Sequence, residues 1–165
     1  MKHKKILYLD MDGVVADFEK AIGALTPEIK NFKDYHDQEE LSRRIDDTCY
    51  ANPDIYHDLP PIEGALEAVE ELAGHFDIFF LSTAMWSLPE SFTGKRIWIE
   101  EHFGDLGKKR LILSHRKDLL KGDFLVDDRT HNGAGEFEGE HIHFGTGRFP
   151  DWEVTKKYLM EQAGE

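Results

Sequence analysis

Lys5-Ile6-Leu7-Tyr8-Leu9-Asp10-Met11-Asp12-Gly13-Val14-Val15 is the stretch whose reading decides the fold. Residues 5–10 form a short block dominated by Ile6, Leu7, Tyr8 and Leu9, and a near-continuous apolar run of that length suits a strand buried on both faces of a parallel sheet. Two acids and a glycine then end it abruptly, so the strand has one polar end. Four more blocks of the same kind follow at residues 77–82, 110–114, 123–127 and 141–144. Helical patterns lie between them. Ala65, Leu66, Ala68, Val69, Leu72 and Ala73 keep the three-four spacing of a buried stripe, and Ile97, Trp98 and Phe103 precede a stop at Gly104. Alternating strand and helix predicts an α/β fold: a Rossmann-like, parallel five-stranded sheet flanked by helices, with right-handed crossovers.

One segment interrupts this rhythm. Residues 18–59 contain no convincing strand and are rich in Lys, Asp, Glu and scattered aromatics. They read as a small helical insertion on a core made of residues 1–17 and 60–165. Pro60 and Pro61 stiffen the chain where the insertion ends and resemble a hinge. Trp152, Val154, Tyr158 and Leu159, after a capping Asp151, predict a C-terminal helix docked on the sheet.

Composition limits the partners. A chain of 165 residues with 32% charged residues has the profile of one globular domain. Its net charge of −13 repels nucleic-acid polymers and anionic membranes, both of which are bound through clustered Lys and Arg. The longest apolar runs, such as residues 78–81, fall far short of the roughly 20 residues of a membrane span. The basic segment at residues 1–5 is followed by Asp10 and Asp12, which break any signal-peptide core. The lone Cys49 has no partner for a disulfide or a zinc site, so a cytoplasmic location and a packing role are expected. The nine histidines are scattered; His141 and His143 share one strand face and read as solvated or hydrogen-bonded side chains.

Open parallel sheets bind ligands beyond the carboxyl ends of their strands. Here those ends carry Asp10 and Asp12, Ser82 and Thr83, and Asp127 and Asp128, with Lys117 on the segment between the third and fourth strands. Any one of them could simply cap a helix. Four carboxylates together repel one another by about 4 kcal/mol per pair at 4 Å and an effective dielectric near 20, so a cation belongs among them. An oxygen-rich ligand set of this kind suits Mg2+ shared with a substrate phosphate.

These residues resemble the four ordered motifs of the haloacid dehalogenase superfamily of phosphatases: Asp10-Met11-Asp12-Gly13-Val14-Val15, Ser82, Lys117 and Asp127-Asp128. Asp12-Gly13-Val14-Val15-Ala16-Asp17-Phe18, Pro61-Ile62-Glu63-Gly64-Ala65 and Leu125-Val126-Asp127-Asp128-Arg129 are similar to its 5'(3')-deoxyribonucleotidases, which carry a small helical cap between the first two motifs. The resemblance implies Asp10 as nucleophile and Asp12 as general acid and base. It implies Asp10, the Asp12 carbonyl and Asp128 as magnesium ligands, with Asp127 sharing the metal or orienting its water. Ser82, Thr83 and Lys117 would bind phosphate.

Four carboxylates and a phosphate dianion outweigh magnesium plus Lys117, so a protonated Asp12 fits the charge count. The second motif, Thr-Ser in the family, is Ser82-Thr83 here, which keeps both hydroxyls. The insertion is shorter than the usual cap, and Phe32 and Tyr35 are its candidate aromatic pair. Phe18 and Tyr56 read equally as cap core or as a sandwich for a nucleobase. The substrate expected is a small phosphorylated molecule, a deoxyribonucleoside monophosphate resembling dUMP or dTMP, taken by a monomer or homodimer. The alternatives are a phosphatase of another small phosphomonoester and a silent phosphate-sensing module.

Overall fold

The computed structural model describes residues 3–164. Five parallel strands, β1 (Lys5–Leu9), β2 (Phe76–Ser82), β3 (Leu111–Leu113), β4 (Phe124–Asp127) and β5 (Glu140–His143), lie in the order β3-β2-β1-β4-β5. The central strand pairs on both sides, with Leu9 opposite Phe80 and Val126. All five carboxyl ends therefore open on one side of the molecule.

Handedness explains how the sheet is covered. The chain moves one way across the sheet from β1 through β2 to β3, and right-handed crossovers put those connections on one face. Along those connections lie α1 (Phe18–Leu25), α2 (Gln38–Ala51), α3 (Ala65–Leu72) and α4 (Pro89–Phe103). The last helix, α5 (Trp152–Ala163), returns to pack beside α3. Leu7, Leu9, Phe76, Ile78, Phe80 and Val126 form the core beneath them together with Trp98, Trp152 and Leu159. Running back through β4 to β5 reverses the direction and the face. There the crossovers carry only single 3-10 turns, Lys117–Leu119 and Ala134–Glu136, over Tyr8, Leu81, Leu125 and Phe137.

Local chemistry sets the helix ends. Asp17, Asp37 and Asp151 accept from backbone N–H groups of the first turns of α1, α2 and α5, and Pro89 starts α4. Gly104 ends α4 with a φ of 54°. Among the described residues no helix is long and apolar enough to cross a membrane.

The segments that precede α1 and follow α2 pair with each other. Asp17 N–H donates to Pro60 O at 2.7 Å and Ile62 N–H to Val15 O at 2.8 Å, and Ala16 bridges Pro61 in antiparallel fashion. A second tie joins Tyr50 on α2 to Ser87, hydroxyl to hydroxyl at 2.6 Å, on the loop after β2. Cys49 is buried with its Sγ 3.9 Å from the Tyr56 hydroxyl, and burial pushes its thiol up to about 11.

Candidate active site

Asp10 leaves the sheet last, its N–H still bonded to Val126 O at 2.9 Å. The next residues curl tightly because Met11 O accepts from the N–H groups of Val14, Val15 and Ala16. Trp152 Nε1 pins this curl from below by donating to Val14 O at 2.7 Å. Gly13 has a φ of 82°, and a β-carbon there would lie 2.1 Å from Asp128 Oδ2. Only glycine allows the Asp128 carboxylate to approach this closely.

Six of the residues singled out from sequence stand together at this end. Asp10, Asp127 and Asp128 present oxygens that all lie within 4.8 Å of one another. Lys117 is buried, with Nζ 3.1 Å from Asp10 Oδ1 and 2.6 Å from Asp127 Oδ2. Asp12 follows on the same curl, and Ser82 ends β2, the neighbour of β1, fully enclosed. Asp127 has both oxygens engaged, since Oδ1 also accepts from Arg129 N–H at 3.0 Å.

The crowding of acids appears in their proton affinities. Burial first, and then the charge of Asp127, raises the Asp10 carboxyl above its ordinary range, against the opposing pull of Lys117 and Lys95. Burial, with Asp10 and Asp127 close by, pushes Asp128 up to about 8. Burial disfavours the charged form of Lys117, but the Asp10 and Asp127 carboxylates more than offset this and raise it. Asp12 Oδ1 and Asp128 Oδ1 are buried with no hydrogen-bond partner among the described residues. Orphaned, crowded carboxylate oxygens of this kind fit a hard divalent cation.

Metal and proton then compete for the same carboxyl. A carboxyl held above its ordinary 3.8 favours the protonated folded state, so metal-free protein should lose stability as pH rises from 3.8 through about 8. A divalent cation such as Mg2+ would bind the deprotonated form, and its addition is expected to offset that loss. The gain in Tm on adding Mg2+ is therefore expected to grow with pH across this window, as read from melts at each pH. A gain that stays constant with pH would contradict it.

Three residues expected at the substrate, Thr83, Phe18 and Tyr56, are engaged within the protein itself. Thr83 donates its hydroxyl to Ser114 O at 2.7 Å, so in this structure the group ties two loops. Phe18 and Tyr56 do not form a sandwich. Their rings stack directly on each other, 5.4 Å between centroids and 16° apart, which is the spacing of rings in contact and leaves no room for a base. Tyr56 is only 6% exposed and belongs to the core. Phe32 meets Phe18 edge-on, whereas Tyr35 stacks on His36 and accepts from Arg44 Nη1 at 2.9 Å.

Sequence reasoning missed Lys95. Its side chain, 0% exposed, reaches from α4 to Asp12 Oδ2 at 3.0 Å and lies 4.9 Å from the Tyr56 ring centroid. The signal was present: Ser91, Lys95 and Trp98 follow helical spacing, which places a lysine in a buried stripe. Lys95 supplies a second cation to a site whose charge count had included only Lys117.

Strand order, acidic strand ends and a buried lysine among them are those of the haloacid dehalogenase type of fold. Solved structures share the fold: a Xanthomonas campestris haloacid dehalogenase-like hydrolase aligns over 99% of both chains with a TM-score of 0.59 at 13% identity. A Bacillus subtilis hydrolase of the same type, solved bound to magnesium, aligns over 96% of this chain and 100% of its own with a TM-score of 0.59 at 12% identity. Within that class, residues 4–149 match the family described as 5' nucleotidase, deoxy (pyrimidine), cytosolic type C protein, and the chain belongs to it. By class it is a phosphoric monoester hydrolase. A Vibrio phage KVP40 protein assigned to the 5'(3')-deoxyribonucleotidases is 46% identical over 96% of this chain and 86% of its own length. The human cytosolic-type 5'(3')-deoxyribonucleotidase is 31% identical over 82% of this chain and 77% of its own.

Proposed function

We propose that the protein is a magnesium-dependent 5'(3')-deoxyribonucleotidase that releases phosphate from deoxyribonucleoside monophosphates through a phosphoaspartate on Asp10. The convergence of Asp10, Asp12, Asp128 and Lys117 at the strand ends carries this reading. Asp10 attacks phosphorus, forming an aspartyl-phosphate bond as the bond to the nucleoside oxygen breaks. Asp12 gives its proton to that leaving oxygen. Water then attacks the aspartyl phosphate, Asp12 takes the water's proton, and inorganic phosphate departs with Asp10 restored.

Lys117, already against Asp10, holds the phosphate oxygens, with Ser82 donating beside it. Asp10, the Asp12 carbonyl and Asp128 would hold Mg2+, and Asp127, engaged by Lys117 and Arg129, orients Lys117 instead of binding metal. A divalent ion held by these groups would supply neutralisation of the phosphate charge. Residues 18–59 act as a cap on a core of residues 1–17 and 60–165, excluding water from the reaction.

With the sandwich closed, the base rests against the partly exposed Phe18, which Tyr56 and Phe32 support from behind. Base stacking is worth about 1 to 3 kcal/mol by alanine substitution. Phe18→Ala is therefore expected to raise KM for dUMP or dTMP about tenfold while leaving small aryl phosphates little changed. Equal effects on both substrate types would remove Phe18 from base binding.

The closed stack also favours a second reading, a phosphatase of another small phosphomonoester that uses the same strand-end machinery. Phosphate release measured across nucleoside monophosphates and sugar phosphates with Mg2+ separates the two. Preference for deoxypyrimidine monophosphates supports the nucleotidase, and preference for a non-nucleotide overturns it.

A further inference from the structure

We infer that His143 is a positioning residue of the metal site, acting through the backbone of Asp128. Its Nε2 lies 2.9 Å from Asp128 O. A carbonyl oxygen only accepts, so this nitrogen must carry the proton and donate it. The neighbouring bonds show how the turn that bears Asp128 is held. Asp127 pairs with His143 in register, Phe144 N–H donates to Asp127 O at 3.1 Å, and Arg129 N–H donates to Asp127 Oδ1.

Phe144 N–H fixes the peptide before Asp128, and the peptide after it is held at its two ends, by Arg129 N–H on Asp127 Oδ1 and by His143 on the Asp128 carbonyl. Rotation of that peptide would swing the carboxylate out of the gap that Gly13 leaves for it. Stacking on His141, 5.5 Å away and 26° inclined, keeps the His143 ring in its orientation. Thr146 donates to His143 O at 2.7 Å and secures the end of the strand. An exposed-looking histidine on an edge strand thus sets the direction of a metal ligand on the next strand.

The inference rests on Asp128 as a magnesium ligand, and the test separates the two. Mg2+ alone is titrated calorimetrically into the full chain, free of substrate, for wild type, His143→Phe, His143→Gln and Asp128→Asn. Partners that orient metal ligands typically contribute about 10- to 100-fold in affinity, so His143→Phe, which keeps the ring stack but lacks the donor, should weaken Mg2+ binding by that factor. His143→Gln, with an amide N–H of similar reach, should recover most of it. Metal-free melts should match wild type for both, and His143→Leu replaces His143→Phe should the latter not fold. Wild-type affinity in the donor-less variant, or a glutamine variant as weak as it, would overturn the role of His143. Undiminished Mg2+ binding by Asp128→Asn would overturn the ligand assignment on which it rests.

Discussion

Asp10→Asn is expected to abolish phosphate release while the protein remains folded. An amide of the same shape cannot attack phosphorus, and no other carboxylate in the cluster is placed as Asp10 is, at the end of the central strand with Lys117 against it. Stability should hold or improve. Asp10 is buried beside two further carboxylates, and its neutral replacement relieves their repulsion, while Lys117 keeps its 2.6 Å contact with Asp127. Phosphate release and a thermal melt on the same preparation check both halves. Near-normal turnover by the folded variant would remove Asp10 from the chemistry.

Asp12→Asn should slow the reaction by roughly 10²- to 10⁴-fold, the usual contribution of a positioned acid and base. The first step should suffer least when the leaving group is good, because an aryl oxide departs without a proton while a nucleoside alkoxide needs one. Asparagine is the informative substitution, since its carbonyl still accepts from the buried Lys95. Alanine would strand that ammonium without a partner, a loss that costs about 3 to 5 kcal/mol and confuses catalysis with folding. Equal losses for aryl and alkyl phosphates in the phosphorylation step would rule out leaving-group protonation by Asp12.

Strands and their acidic ends were legible because both obey local rules. Buried parallel strands read as short apolar runs, and the change to Asp or Ser marks where each run meets the ligand side. All five strands lie within a residue or so of where those runs place them. What the sequence could not show depends on contacts between distant residues. Lys95 looks like one lysine among many until α4 is docked, when it meets Asp12 across 83 positions. Nothing local distinguishes Tyr56 as a base platform from Tyr56 as core; only its stacking on Phe18 does so. Thr83 reads as a phosphate donor, and nothing local shows that β3 places Ser114 O within reach of its hydroxyl. His143 looked ordinary because its partner is a backbone carbonyl, which leaves no trace in side-chain pattern.

The covalent step offers the most direct test of the account. Asp12→Asn should still accept a phosphoryl group from an aryl phosphate, whose leaving group needs no acid, yet lack the base that activates water for its removal. With Mg2+ present, the phosphorylated enzyme should accumulate, and mass spectrometry after an acid quench should find one phosphoryl group on the peptide containing Asp10. Aryl phosphate turnover with no phosphoryl group on that peptide, or with one on another residue, would contradict the account.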